Sequence, residues 1–198
     1  ANLFEANSFE LLPHDGMRRT IARRLVEAKT TIPHFYLKAS CNLDNLLQLR
    51  LELNDKAVKE SDGIPNFKIS INDFIIKAHA KALNEVTDAN VTWTEEGLLV
   101  HKSVDVAVAI AIPGGLVTPV IRGAEKKSIS AISSTIKEFA QRAQDRQLTA
   151  DEYQGGTSTV SNLGMYGVEE FSAIINPPHA TILAVGASRQ EAVVIFDA

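Results

Sequence analysis

Cysteine is nearly absent: Cys41 is the only one in 198 residues. A lone thiol forms no disulfide framework and no thiolate metal cluster, so packing has to hold the fold, in a reducing compartment. Long hydrophobic runs are lacking too. No segment approaches the roughly 20 apolar residues of a membrane span, and nothing at the start has a signal-peptide pattern. Charge of one sign is not in excess, since 20 basic residues face 24 acidic ones and the net charge is −4. That removes the usual electrostatic ground for expecting nucleic acid. Internal repeats and low-complexity segments are also missing. What remains is 45% hydrophobic and 22% charged residues, over a length that suits one sizeable core. The expectation is a cytosolic-type globular domain.

Residues 1–16 are mostly polar, with Pro13 and Asp15-Gly16 as turn signals, and read as a linker or N-terminal arm. The domain proper is expected over 17–198. Met17, Ile21, Leu25 and Ala28 predict a helix over 17–29, with Arg18, Arg19, Arg23, Arg24 and Glu27 on its other face. That arginine cluster is a solvated face or a contact for a neighbouring subunit or an anion. Alternation predicts a strand over 34–43. Asp44 is the expected N-cap of a helix over 45–60, with Leu46, Leu49, Leu53 and Ala57 at helical spacing. A loop follows over 61–66.

Ser70 with Asp73 has the form of a capping box for a third helix, whose apolar face would be Phe74, Ile75, Ala78, Ala82, Leu83 and Val86. Short strands are expected over 91–94 and 98–101. Residues 104–112 are almost wholly apolar and predict one strand buried on both faces. Pro113-Gly114-Gly115 breaks it before β character resumes over 116–121, and the glycines could let backbone approach a ligand closely or simply end the strand. A fourth helix is expected over 130–147. Thr149 with Glu152 caps a short turn, and apolar strands are expected over 180–186 and 192–196. Helices and strands mixed in this way predict an α/β sandwich with a mixed β-sheet.

The stretch with the most chemical content is Thr157-Ser158-Thr159-Val160-Ser161-Asn162-Leu163-Gly164-Met165-Tyr166-Gly167. A β-rich run enters a turn punctuated by Asn162, Gly164 and Gly167. Ser161 is thereby placed at a strand end, where a rigid scaffold can present a hydroxyl. A second β-rich run, 171–175, stops at Asn176-Pro177-Pro178. Taken alone, Ser161 is equally a turn serine that satisfies backbone groups.

The stretch resembles the catalytic domain of the dihydrolipoyl acyltransferases, the core component of the 2-oxo-acid dehydrogenase complexes. Met17-Arg18-Arg19-Thr20-Ile21-Ala22-Arg23-Arg24-Leu25, Ile32-Pro33-His34-Phe35-Tyr36-Leu37 and Ile71-Asn72-Asp73-Phe74-Ile75-Ile76-Lys77-Ala78 are similar to further segments of that family. So are 104–109 and 114–122, and residues from about 12 to 188 follow the pattern in order. The resemblance implies the fold of chloramphenicol acetyltransferase, built into homotrimers that assemble into a cubic or dodecahedral core.

It also implies transfer of an acyl group between lipoamide and coenzyme A. Ser-Asn-Leu-Gly-Met-Tyr-Gly is most similar to the pyruvate branch, hence acetyl. The implied cofactors are coenzyme A and a lipoyl group carried on a separate domain, with no metal. The implied partners are decarboxylase and dihydrolipoamide dehydrogenase components, with neither nucleic acid nor membrane. The implied location is the cytoplasm of a bacterium or the mitochondrial matrix of a eukaryote.

In the family, the serine matching Ser161 donates to the tetrahedral oxyanion, a contribution on the order of 3 kcal/mol. Arg50 matches an arginine near the adenosine 3′-phosphate of coenzyme A, a role its permanent charge suits, although a solvated helix arginine looks the same in sequence. The family's base is a histidine in a His-x-x-x-Asp-Gly motif that acts on a neighbour's serine. None of the five histidines here, His14, His34, His79, His101 and His179, stands in that motif. The expectation is a core segment whose base follows Ala198. The alternatives are a non-catalytic structural core subunit, or a stand-alone trimeric acetyltransferase acting on a small alcohol or amine.

Overall fold

Helix α1 (Gly16–Thr31) begins where the Asp15 carboxylate accepts the N–H of Arg18, and α2 (Asp44–Asp55) follows after an extended segment. Helix α3 (Ile71–Glu85) starts in a complete capping box: Ser70 Oγ accepts from Asp73 N–H, and Asp73 accepts from Ser70 N–H. This computed structural model describes residues 3–5, 7–58 and 67–194. A 3-10 turn (Thr87–Ala89) leads into an antiparallel hairpin of β1 (Val91–Thr94) and β2 (Gly97–Val100). Then come β3 (Val106–Val108), β4 (Ile110–Ile112), β5 (Gly115–Val117), β6 (Val120–Ile121), α4 (Ile129–Gln144) and the single turn α5 (Ala150–Tyr153). Strand β7 (Ser158–Asn162), a 3-10 turn (Gly164–Tyr166) and β8 (Thr181–Val185) complete the elements.

The main sheet has the order β6-β3-β7-β8. It is mixed, because β3 pairs β6 antiparallel while β3–β7 and β7–β8 are parallel. Helices α3 and α4 pack on one face. Ile76, Ala80 and Leu83 of α3 and Ile132 and Phe139 of α4 meet Val106, Val108 and Val160 of the strands. Side chains alternate across a sheet. Ser158, Val160 and Asn162 therefore face the helices, and Thr159 and Ser161 face the other way, in rows with Ile182 and Ala184 of β8. The sequence expectation of a mixed-sheet α/β architecture matches.

Several local expectations do not hold. Residues 34–43 form no strand: Phe35 and Leu37 are 82% and 88% exposed, and no ladder within the described residues accepts the run. Residues 171–175 and 192–194 form none either, while 195–198 and the 61–66 loop lie outside the described residues. The 104–112 run is cut at Ala109. Its N–H still reaches Val160 O at 2.9 Å, while β4 turns away to form a hairpin with β5 around Gly114 at φ +87°. The following run breaks at Thr118-Pro119, since proline donates no ladder bond.

Helix α2 ends at Asp55, where the Asn54 side chain bonds both N–H and C=O of Ile69. Leu43, not Asp44, occupies its cap, and the Asp44 N–H is taken by Asn42 Oδ1. The buried stripe of α3 is Asp73, Phe74, Ile76, Ala80 and Leu83, whereas Ala78, Ala82 and Val86 are exposed. Alanines weight a helical face weakly, and the Ile75-Ile76 pair allowed either rotation.

Candidate active site

Strand β7 and the residue before it present a row of polar side chains, and the surroundings of each separate their roles. Thr157 Oγ1 accepts from Asp105 N–H at 3.2 Å and donates to Asp105 O. Ser158 is fully buried, with Oγ 2.7 Å from both His79 Nε2 and Thr181 Oγ1. Burial pushes the His79 pKa down to about 4, so its ring is neutral. Thr159 Oγ1 lies 2.7 Å from His179 Nδ1, and His179 Nε2–H donates to Gly155 O at 2.7 Å. The carbonyl can only accept, so His179 carries its proton on Nε2 and Thr159 donates. Burial also lowers the His179 pKa, against the raising influence of the Gly155 bond.

Ser161 differs from all of these. It is half-buried on the face away from the helices, and among the described residues its hydroxyl has no hydrogen-bond partner. A hydroxyl held on a strand yet uncommitted can donate to an incoming anionic oxygen. The residue after it, Asn162, accepts from Gly164 N–H at 2.9 Å and donates to Asn72 Oδ1 at 3.0 Å, tying the strand end to α3.

No histidine hydrogen-bonds to Ser161. His34 donates from Nδ1 to Ile32 O at 2.8 Å and accepts Ile175 N–H at Nε2 at 3.0 Å, so it ties the 33–43 segment to 171–175. A Lys38–Glu170 ion pair adds to that seam. His101 donates to Thr92, whose own proton goes to Pro178 O. His14 lies exposed ahead of α1. Arg50 sits half-buried on α2, which packs against α3, and its Nε is buried without a partner among the described residues. No hydrogen bond joins Arg50 to the Ser161 end. Gly115 is explained by packing: a Cβ there would come within 2.9 Å of Met17 Sδ and 3.2 Å of Ile21 Cδ1, so the hairpin seats α1. Among the described residues no group of three His, Cys, Asp or Glu could hold a metal ion.

Reading the sequence singled out Ser161 and Arg50 but passed over Asn72, His79 and His179. Asn-x-Gly after a strand signals a turn in sequence, but nothing there says that its amide reaches a helix 90 residues away.

The family model described as 2-oxoacid dehydrogenases acyltransferase (catalytic domain) matches residues 6–198. The chain belongs to this family. Its sequence is 58% identical over 192 residues to the dihydrolipoyllysine-residue acetyltransferase component of the pyruvate dehydrogenase complex of Rhizobium meliloti (strain 1021), covering 97% of this chain and 43% of that protein. Its fold matches the Azotobacter vinelandii dihydrolipoamide acetyltransferase with a TM-score of 0.88 at 29% identity, over 94% of this chain and 76% of that one. In that protein a serine, a histidine and an asparagine were investigated for their part in catalysis. The cubic core of the pyruvate dehydrogenase multienzyme complex matches with a TM-score of 0.88 at 28% identity, over 94% and 76% of the two chains. The chain spans less than half the length of the curated relatives it matches.

Proposed function

We propose that this acyltransferase-family domain moves an acetyl group between lipoamide and coenzyme A, as part of the core of a pyruvate dehydrogenase complex. The observation that carries the reading is Ser161, the uncommitted hydroxyl of β7, on the sheet face that the helices leave open. Coenzyme A would supply the thiol that accepts the acetyl group. As negative charge develops on the thioester carbonyl, Ser161 donates a hydrogen bond to it from a fixed position. Arg50 fits the phosphate end of that substrate, because its buried Nε lacks an acceptor and a phosphate oxygen would provide one. The base that raises the thiolate population is a histidine from a neighbouring chain or a further segment.

The site is completed by copies of the chain. The outward Phe35 and Leu37, in an extended run without a ladder, suit a subunit interface. The reading is therefore a homotrimer, assembled further into a cubic or dodecahedral core that serves decarboxylase and dihydrolipoamide dehydrogenase partners. Its place is the bacterial cytoplasm or the mitochondrial matrix, and no described helix is long and apolar enough to cross a membrane.

The test is acetyl transfer from acetyl-coenzyme A to dihydrolipoamide by the assembled full-length chain, comparing wild type with Ser161→Ala. The variant should lose roughly 10²–10³ in kcat. An unchanged rate would remove Ser161 from the mechanism. The alternative is a non-catalytic structural core subunit, because none of the five histidines stands in a His-x-x-x-Asp-Gly motif. That reading requires a correctly assembled wild type with no transfer at all.

A further inference from the structure

We infer that Asn72 and Asn162 form a latch that aims the Ser161 hydroxyl, an inference that rests on Ser161 being the oxyanion donor. Asn162 follows Ser161 and faces the helices. Its carboxamide oxygen accepts Gly164 N–H at 2.9 Å, closing the turn that ends β7. The other end of the amide is therefore the donor, and it reaches Asn72 Oδ1 at 3.0 Å. Asn72 lies in the first turn of α3, beside the 2%-exposed Asp73 of the capping box, so the acceptor is itself fixed.

Ser161 thus sits between Val160, buried at 1% exposure, and a latched Asn162. Strand β3 pairs with β7 only as far as Val160, so Ser161 and Asn162 are laddered to β8 alone, the edge strand of the sheet. Without the latch, that end of β7 is held by an edge ladder alone. A hydroxyl displaced by about 1 Å donates poorly to an oxyanion, and misplacement of that size can cost 10²-fold in rate. Asn72 and Asn162 are positioning residues, since neither side chain lies on the open face.

The experiment measures kcat, KM and melting temperature for variants of the assembled full-length chain. Asn72→Leu removes the acceptor and should lower kcat about tenfold with KM unchanged. Asn72→Asp keeps an acceptor, and its charge suits a helix N-terminus, so it should recover most of kcat. Asn162→Asp still accepts from Gly164, and the Asn72 amide can turn to donate to it, so it should also stay within about threefold. The pair Asn72→Asp with Asn162→Asp sets two acceptors against each other and should fall at least as far as Asn72→Leu.

A latch ranks these variants by whether a donor meets an acceptor, whereas a merely structural role ranks them by melting temperature. An undiminished kcat in Asn72→Leu, or a double aspartate as fast as either single, overturns the latch. If Asn72→Leu does not fold, the three aspartate variants decide alone. Placing Asn72→Leu in a Ser161→Ala background separates the two ideas. A latch that works through Ser161 adds no further loss there. The same tenfold loss would defeat the latch while leaving Ser161 standing, and a fast Ser161→Ala parent would defeat the Ser161 reading itself.

Discussion

Helices α1 and α3 are almost equal in length, 16 and 15 residues, and both start from side-chain caps. Yet α3 buries five side chains and α1 only Ala28. Each has an apolar stripe. That of α3 meets β3, β7 and α4 in the same chain, while Leu25 of α1 stays 40% exposed and Leu37 of the next segment 88% exposed. An amphipathic pattern says that a face will be covered, but not by which chain. In this molecule the core grows around α3, and the described residues ahead of α2 point much of their apolar surface outward.

The two helices should differ most at Ile76. Ile76→Ala opens a cavity at a fully buried position and should cost about 2–5 kcal/mol, read as a lowered denaturant midpoint that is independent of protein concentration. If Leu25→Ala costs as much, the two helices are not different in kind.

Acid sharpens the same contrast. His79 of α3 has its pKa lowered to about 4 by burial, against an ordinary 6.5. Below pH 6.5 the unfolded chain takes up a proton that the folded chain refuses until about pH 4, so stability falls as pH falls through that window. The loss reaches at most about 3 kcal/mol and is absent at pH 7. His79→Gln should flatten this slope in unfolding curves between pH 7 and pH 4. A slope that survives the substitution belongs to other groups.

Leu37→Asp should act in the opposite way. The mass of the assembly by light scattering should drop, while the protomer's unfolding free energy moves by no more than about 0.5 kcal/mol, as for an exposed site. An intact assembly would mean that this segment faces solvent in the oligomer too. A small effect, without change in assembly, is expected at Gly115→Ala. The new methyl meets the flexible end of Met17, which can shift, so the cost should stay within about 1 kcal/mol by thermal unfolding. A larger loss would show that the seat of α1 is rigid.

Features that depend on residues three or four apart were legible in the sequence. The Ser70–Asp73 and Thr149–Glu152 capping boxes both form as expected, because each closes within a single turn. The runs now seen as β7 and β8, and the 91–100 hairpin, were legible for the same reason. The break at Ala109 and the unpaired 34–43 run were not. Whether an extended apolar run becomes a strand depends on whether a free ladder edge comes alongside, which is a non-local event. At the candidate site, Ser161 stood out through its turn motif. Its difference from Ser158, buried between His79 and Thr181, could not be read from two serines in one strand.

Residue types and short spacings were enough for the family, the mixed α/β class, the two capping boxes and the strand end that carries Ser161. Only the tertiary structure decided which β7 hydroxyls are occupied, which histidines are tied down, and which apolar faces find cover within the chain. Those outcomes depend on contacts between residues 20 to 141 positions apart, such as Thr159–His179, His79–Ser158, Asn72–Asn162 and His34–Ile175. A hydrogen bond forms only when both partners arrive at about 3 Å in the right orientation, and that condition is met by the packed backbone rather than by sequence neighbours.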